Sequence, residues 1–184
     1  MAPGAHRILL ISGSMRRGST NTALLSTIQS IAPASLEVAL YHGLGDLPNF
    51  NPDDDVESLH PAVAALRAQI ASTEAVVFST PEYAGALPGS FKNLLDWTVG
   101  GGEIYQKPVA WLNASGAPTG ATKAHDSLRI VLGYVGSILV EEACAHIPVP
   151  RDAIGTDGLI ADPAIRNRIL DALAALEAHL DKSP

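Results

Sequence analysis

Cysteine is almost missing from this chain of 184 residues, with Cys144 standing alone. A lone thiol excludes an internal disulfide framework and fits a reducing compartment, so the expected location is cytoplasmic. Aromatic residues are scarce at 5% and charged residues at 17%. Positive charge is the scarcer sign: 12 Lys and Arg stand against 19 Asp and Glu, a formal net charge of −7. Nucleic acids and anionic membrane surfaces both select basic faces, so neither is expected as a partner. No apolar run approaches the ~20 residues of a membrane span. His6 and Arg7 are the only titratable side chains before the short first apolar run, which is read as no signal peptide. The chain also lacks the Walker phosphate loop and the Gly-x-Gly-x-x-Gly dinucleotide fingerprint. It has no Gly-x-Ser-x-Gly nucleophile turn. The six histidines show no metal-ligand spacing, and Asp53-Asp54-Asp55 reads as a solvated surface loop.

What is present is a large apolar fraction, 47%, enough for one domain over residues 1–184 with a real core. Five strand-like runs, at residues 7–12, 36–41, 75–80, 108–114 and 136–145, alternate with helical patterns. Leu24, Ile28 and Ile31 sit at helical spacing, as do Leu59, Val63, Leu66 and Ile70, and then Leu128, Val131, Leu132 and Val135. A shorter helix is expected from Gly89 to Trp97. The last helix is the plainest: Asp162 as N-cap, Pro163 in the first turn, then a stripe of Ile165, Ile169, Leu173, Leu176 and Leu180. Near-continuous apolar strands alternating with helices predict an α/β fold, with a parallel sheet covered on both faces. Right-handed crossovers and a loop rich in hydrogen-bond donors after the first strand point to a flavodoxin-like, doubly wound, five-stranded sheet of order 2-1-3-4-5. In such sheets ligands bind beyond the carboxyl ends of the strands. The loops after strands one, three and four are therefore the ones to search.

The first of these, Gly13-Ser14-Met15-Arg16-Arg17-Gly18-Ser19-Thr20-Asn21, leads into a helix N-terminus, where free backbone N–H groups favour an anion. Ser14, Ser19, Thr20 and Asn21 can donate to phosphate oxygens, and Arg16 can pair with them bidentately. The second, Thr80 to Gly89, has two prolines and two glycines around Tyr83, giving a stiff main-chain wall that a flat ring could approach. The third, Asn113 to Gly120, is built of small residues. Each loop alone also reads as an ordinary turn. Cys144 reads as a small core residue, and His125 and His146 as helix and strand-end residues rather than ligands. Trp97, Gly100-Gly101-Gly102 and Tyr105 read either as a subunit or nicotinamide-facing surface or as a helix end with a loop.

Gly13-Ser14-x-Arg16-x-x-Ser19-x-Asn21 resembles the phosphate loop of the NADPH-dependent FMN reductase family. Pro81-x-Tyr83, Pro88-Gly89, Lys92-Asn93 and Asp96-Trp97 resemble that family's second motif, and Lys107-Pro108-Val109 with Ala114-Ser115-Gly116 its fourth strand and following loop. The resemblance implies bound FMN, with Ser14, Arg16, Ser19, Thr20 and Asn21 at its phosphate. It implies Pro81, Glu82, Tyr83 and Ala84 along the isoalloxazine, largely through backbone groups, and Ser115 and Gly116 approaching from strand four. NADPH or NADH would deliver hydride, and a quinone, azo compound, metal oxyanion or free flavin would receive the electrons. No side chain is expected to act as a separate acid or base, because the flavin carries the chemistry. A homodimer or homotetramer is implied too. The family usually has Asn where this chain has Ala84, and often Gly-Gly-x-Arg where it has Ala121 and Lys123 at about those places. The alternative is an FMN-binding electron carrier or redox sensor without nicotinamide turnover.

Overall fold

The computed structural model describes residues 4–182. Along them run β1 (His6–Ser12), α1 (Thr20–Ile31), β2 (Leu36–Tyr41), α2 (Pro61–Ala71), β3 (Ala75–Ser79) and α3 (Gly89–Trp97). Then come β4 (Pro108–Asn113), α4 (Thr122–Tyr134), β5 (Ile138–Leu139), β6 (Ala145–His146) and α5 (Pro163–Leu180). The strands form one parallel sheet of order β2-β1-β3-β4-β5, with β6 also on β4.

The apolar run of β1 is continuous because both of its faces are covered. Ile8 and Leu10 pack with Leu24 and Ile28 of α1 and with Ile169, Leu173 and Leu176 of α5. Leu9 and Ile11 face Val63, Leu66 and Ile70 of α2 and Phe91 and Leu94 of α3. Adjacent strand residues point to opposite faces, so one short run supplies two cores. The helices start where their caps direct: Asp162 accepts from Ala164 N at 2.8 Å with Pro163 in the first turn.

The fifth run departs from the single strand expected over residues 136–145. It pairs with β4 at Val109↔Leu139, leaves the ladder for the three-residue 3-10 turn Glu141–Ala143, and rejoins at Leu112↔Ala145. Glu141 and Glu142 are the cause. Two adjacent carboxylates cannot both stay in a covered strand. The turn puts Glu141 outside, on the Arg129 guanidinium of α4, and tucks Ala143 into the core.

The acidic run is only partly solvated. Asp53 and Asp54 are exposed, but Asp55 turns inward to Arg67 at 2.8 Å. Arg67 is buried, donates from Nε to the Trp97 carbonyl at 2.9 Å, and lies 3.8 Å from Glu103. One guanidinium thus ties the two loops flanking α2 and α3 together. Trp97 is core, edge-on to Phe50, with its indole N–H on the Pro48 carbonyl, whereas Tyr105 is exposed.

Candidate cofactor site

The first loop leaves β1 at Gly13, where a Cβ would lie 2.4 Å from Thr80 Oγ1 and 2.9 Å from Phe91, so only glycine fits. The Ser12 and Thr22 hydroxyls, 2.8 Å apart, fasten the loop to α1. Ser14 Oγ accepts from Arg16 N at 3.4 Å. Ser19 caps α1 by accepting from Thr22 N. Among the described residues, the amides of Gly18, Thr20 and Asn21 meet no protein acceptor. The Arg16 and Arg17 guanidiniums likewise have no hydrogen-bond or ion-pair partner among them. Outward amides at a helix start, beside unpaired guanidiniums, form an anion cradle.

Asn21 is buried, and its Oδ1 accepts from Ser79 Oγ at 3.0 Å. The same hydroxyl reaches the Leu112 carbonyl at 2.7 Å. Ser79 therefore locks α1 to β3 and β4, and among the described residues the Asn21 amide nitrogen has no hydrogen-bond partner.

In the second loop, Glu82 Oε2 accepts from Ala124 N at 3.2 Å, capping α4. Tyr83 and Ala86 exchange two backbone hydrogen bonds at 3.1 Å around Ala84 and Gly85, whose φ values are +51° and +71°. Two successive left-handed residues form a type I′-like turn, a geometry that favours Asn-Gly. Tyr83 and Ala84 are exposed at its tip.

The third loop is held from below. Asn113 accepts from Ser115 N at 3.0 Å and donates to the Gly120 carbonyl, drawing the two ends of the loop together. His146 donates from Nε2 to the Ser115 carbonyl at 2.7 Å. Ser115 Oγ accepts from Ala117 N at 3.2 Å. Gly120 and Ala121 both have positive φ, +58° and +51°.

These loops bound a cavity of about 470 Å³, lined by Thr20, Asn21, Pro81, Glu82, Ser115 and Gly116. Arg16 and Ser19 line a second cavity of about 610 Å³, and Ser14 and Arg16 a third of about 340 Å³ on the β2 side. Tyr83 and Ala84 stand outside the walls of all three. Arg151, in the turn after β6, borders both the first and second cavities.

The family model for NADPH-dependent FMN reductase matches residues 6–149. This chain belongs to the NADPH-dependent FMN reductase family. It is 31% identical to an NAD(P)H-dependent FMN reductase of Pseudomonas aeruginosa, covering 93% of each chain. It is 32% identical to a 2-hydroxy-1,4-benzoquinone reductase of Burkholderia sp., covering 88% of this chain and 89% of that one. Among solved structures it is similar to FerB, a flavoenzyme NAD(P)H:(acceptor) oxidoreductase of Paracoccus denitrificans. The TM-score there is 0.81, with 29% identity over 95% of this chain and 99% of that one.

For a member of the FMN reductase family, the residues present suit the cofactor. Unpaired amides and the Arg16 guanidinium match a phosphate, and rigid main-chain walls at residues 81–82 and 115–116 match a flat ring. The lone thiol does not compete for the chemistry: Cys144 lines none of these three cavities, and burial pushes it up to about 11. Burial also lowers the basicity of His125, whose ring sits 5.9 Å from Trp111.

Sequence reasoning missed the pins of this site: Ser12, Thr22, Ser79, Asn113, His146 and Arg151. Strand-end hydroxyls and an Asn opening a small-residue loop were signals of a kind. Arg151 had none, since it stands beyond the motif-bearing part of the chain.

Proposed function

We propose that this chain is one FMN-binding domain catalysing electron transfer from NAD(P)H to a small-molecule acceptor of the quinone class. The observation that carries this is one cavity with unpaired phosphate donors at one end and stiff main-chain walls at the other. Ser14, Arg16, Ser19, Thr20 and Asn21 would hold the FMN phosphate. Backbone groups of Pro81, Glu82, Ser115 and Gly116 would flank the ring, with Tyr83 and Ala84 at its rim. When bound, FMN supplies the hydride and electron chemistry. The protein orients it, donates hydrogen bonds and excludes water. The quinone-class acceptor is carried over from the relatives' activities.

We place the protein in the cytoplasm, on its single cysteine. We read it as a homodimer or homotetramer. Ile130 and Tyr134 support this, being 61% and 91% exposed one turn apart on α4, with Ile138 exposed just after them.

The test is a visible spectrum of purified protein incubated with FMN, followed by stopped-flow mixing with NADPH and NADH. Flavin bands that bleach rapidly and recover with benzoquinone are expected. A colourless protein refutes FMN binding, and unbleached flavin refutes nicotinamide turnover and leaves an electron carrier. Arg16→Ala should weaken FMN binding about 10- to 100-fold, the worth of a charge-assisted hydrogen bond.

A further inference from the structure

In the third loop, every polar group of Ser115 is occupied by the protein. Its N–H donates to Asn113 Oδ1 at 3.0 Å, its hydroxyl accepts from Ala117 N at 3.2 Å, and its carbonyl accepts from His146 Nε2 at 2.7 Å. The N–H of Gly116, the next residue, meets no protein acceptor among the described residues. That N–H and the Ser115 carbonyl belong to one trans peptide unit, so they point in opposite directions. His146 lines a separate cavity of about 360 Å³ between β4, β6 and α4, and none of the walls of the cavity assigned to FMN. Ser115 and Gly116 do line the FMN cavity. A carbonyl fixed on the His146 side therefore turns the Gly116 N–H away from His146. His146 is itself held firmly. It stands opposite Asn113 in the β4–β6 ladder, Ile147 N donates to the Asn113 carbonyl at 2.8 Å, and the Arg168 guanidinium donates to the His146 carbonyl. Its ring lies against Gly120, where a Cβ would come within 3.3 Å of Cε1. The turn at Glu141–Ala143 creates this placement, because the ladder restarts after it at Leu112↔Ala145.

We propose that His146 is a positioning residue of the cofactor site: by holding the Ser115 carbonyl it aims the Gly116 N–H at the flavin ring, and so raises the reduction potential of bound FMN. The inference rests on the FMN reductase reading. His146 does not line the FMN cavity and acts through one peptide unit. An imidazole N–H on the carbonyl polarises that peptide, which makes the N–H at its other end a stronger donor. A donor beside the ring is worth more once the ring has gained electron density, because hydrogen bonds to charged groups are stronger than those to neutral ones. Reduced FMN is then held more tightly than oxidised FMN, and that difference in affinity is a rise in potential. Nothing in the first or second loop supplies this effect, since it depends on a side chain that the broken fifth strand delivers beneath the third loop.

The experiment loads the unsubstituted protein and three variants, His146→Gln, His146→Asn and His146→Leu, with FMN. It measures the Kd for oxidised FMN by fluorescence quenching and the reduction potential by equilibration with a reference dye. The amide nitrogen of Gln stands where Nε2 stands and can still donate to the Ser115 carbonyl. That of Asn stands where Nδ1 stands and falls short, and Leu has no donor. His146→Asn and His146→Leu should each weaken the binding of reduced FMN about tenfold more than that of oxidised FMN, the worth of one charge-assisted hydrogen bond. For a two-electron couple that is a fall in potential of about 30 mV. His146→Gln should stay near the parent potential. A merely structural role weakens both forms of FMN equally and leaves the potential unmoved, so an unchanged potential in the Asn and Leu variants overturns the proposal. A Gln variant whose potential falls as far as that of the Asn variant overturns it too. If His146→Leu fails to fold, the Gln and Asn variants carry the comparison. Failure of the underlying reading is separable, because the unsubstituted protein would then take up no flavin.

Discussion

Ala84 stands where the backbone wants a different residue, and relieving that conflict is a measurable perturbation. Its φ of +51° lies in the left-handed region, which costs a residue bearing a Cβ about 1–2 kcal/mol. Glycine removes that cost but gives back about 0.4–1 kcal/mol through the extra freedom of the unfolded chain. Asn visits the left-handed region readily without glycine's freedom. Ala84 is exposed, so a larger polar side chain meets water rather than core. Ala84→Asn should therefore stabilise by about 1 kcal/mol and raise Tm by about 2–4 °C for a chain of this size. Ala84→Gly should be smaller in effect but still neutral or stabilising. Ala86→Gly, whose backbone is not left-handed, should instead cost about 0.5–1 kcal/mol. Differential scanning calorimetry and chemical denaturation of the three variants provide the comparison. An Ala84→Asn protein that melts at or below the parent, with Ala86→Gly equal to Ala84→Gly, would refute the reasoning from backbone strain. FMN affinity should hold or improve, since the turn braces one wall of the cofactor cavity.

Arg67→Ala should destabilise by about 3–5 kcal/mol, because it strands Asp55 and Glu103 as partly buried carboxylates; urea denaturation measures it. His6 sits 3.0 Å from both Asp181 and Glu74, and those hydrogen bonds raise its pKa while the His6 contact lowers that of Glu74. The raised His6 contributes stability that is fully present below about 6.5 and is lost as pH rises through its folded value. The lowered Glu74 contributes stability that is present above about 4.5 and is lost as pH falls. Melting temperature should peak between those limits, and His6→Gln should flatten the profile. Tyr134→Asp should shift sedimentation towards monomer if α4 carries the contact between copies, while the melting temperature stays near the parent's.

Much of the site was legible because its parts are local. Ser19 and Asp162 act within a few residues of themselves, each through a helix cap, whereas the crossing that demands Gly13 is with Thr80 and Phe91. The meaning of a cap follows from turn and helix chemistry. The two-faced strands were legible for the same reason, since burial on both sides leaves an unbroken apolar run. Long-range pairing was not. Nothing near Asp55 in the sequence announces Arg67, and nothing near Asn21 announces Ser79, 58 residues away. The break in the fifth strand has a local cause, the adjacent Glu141 and Glu142, but the guanidinium that receives Glu141 stands on another element, at Arg129.

The sequence by itself determined the layers, the strand order and the chemistry of the first loop, because periodicity, caps and donor-rich turns are written in consecutive residues. Only the tertiary structure decided which groups remain unpaired at the carboxyl edge of the sheet. Pairing is settled between elements far apart in the chain, and among the described residues it left Arg16, Arg17 and Arg151 lining open cavities with no carboxylate partner.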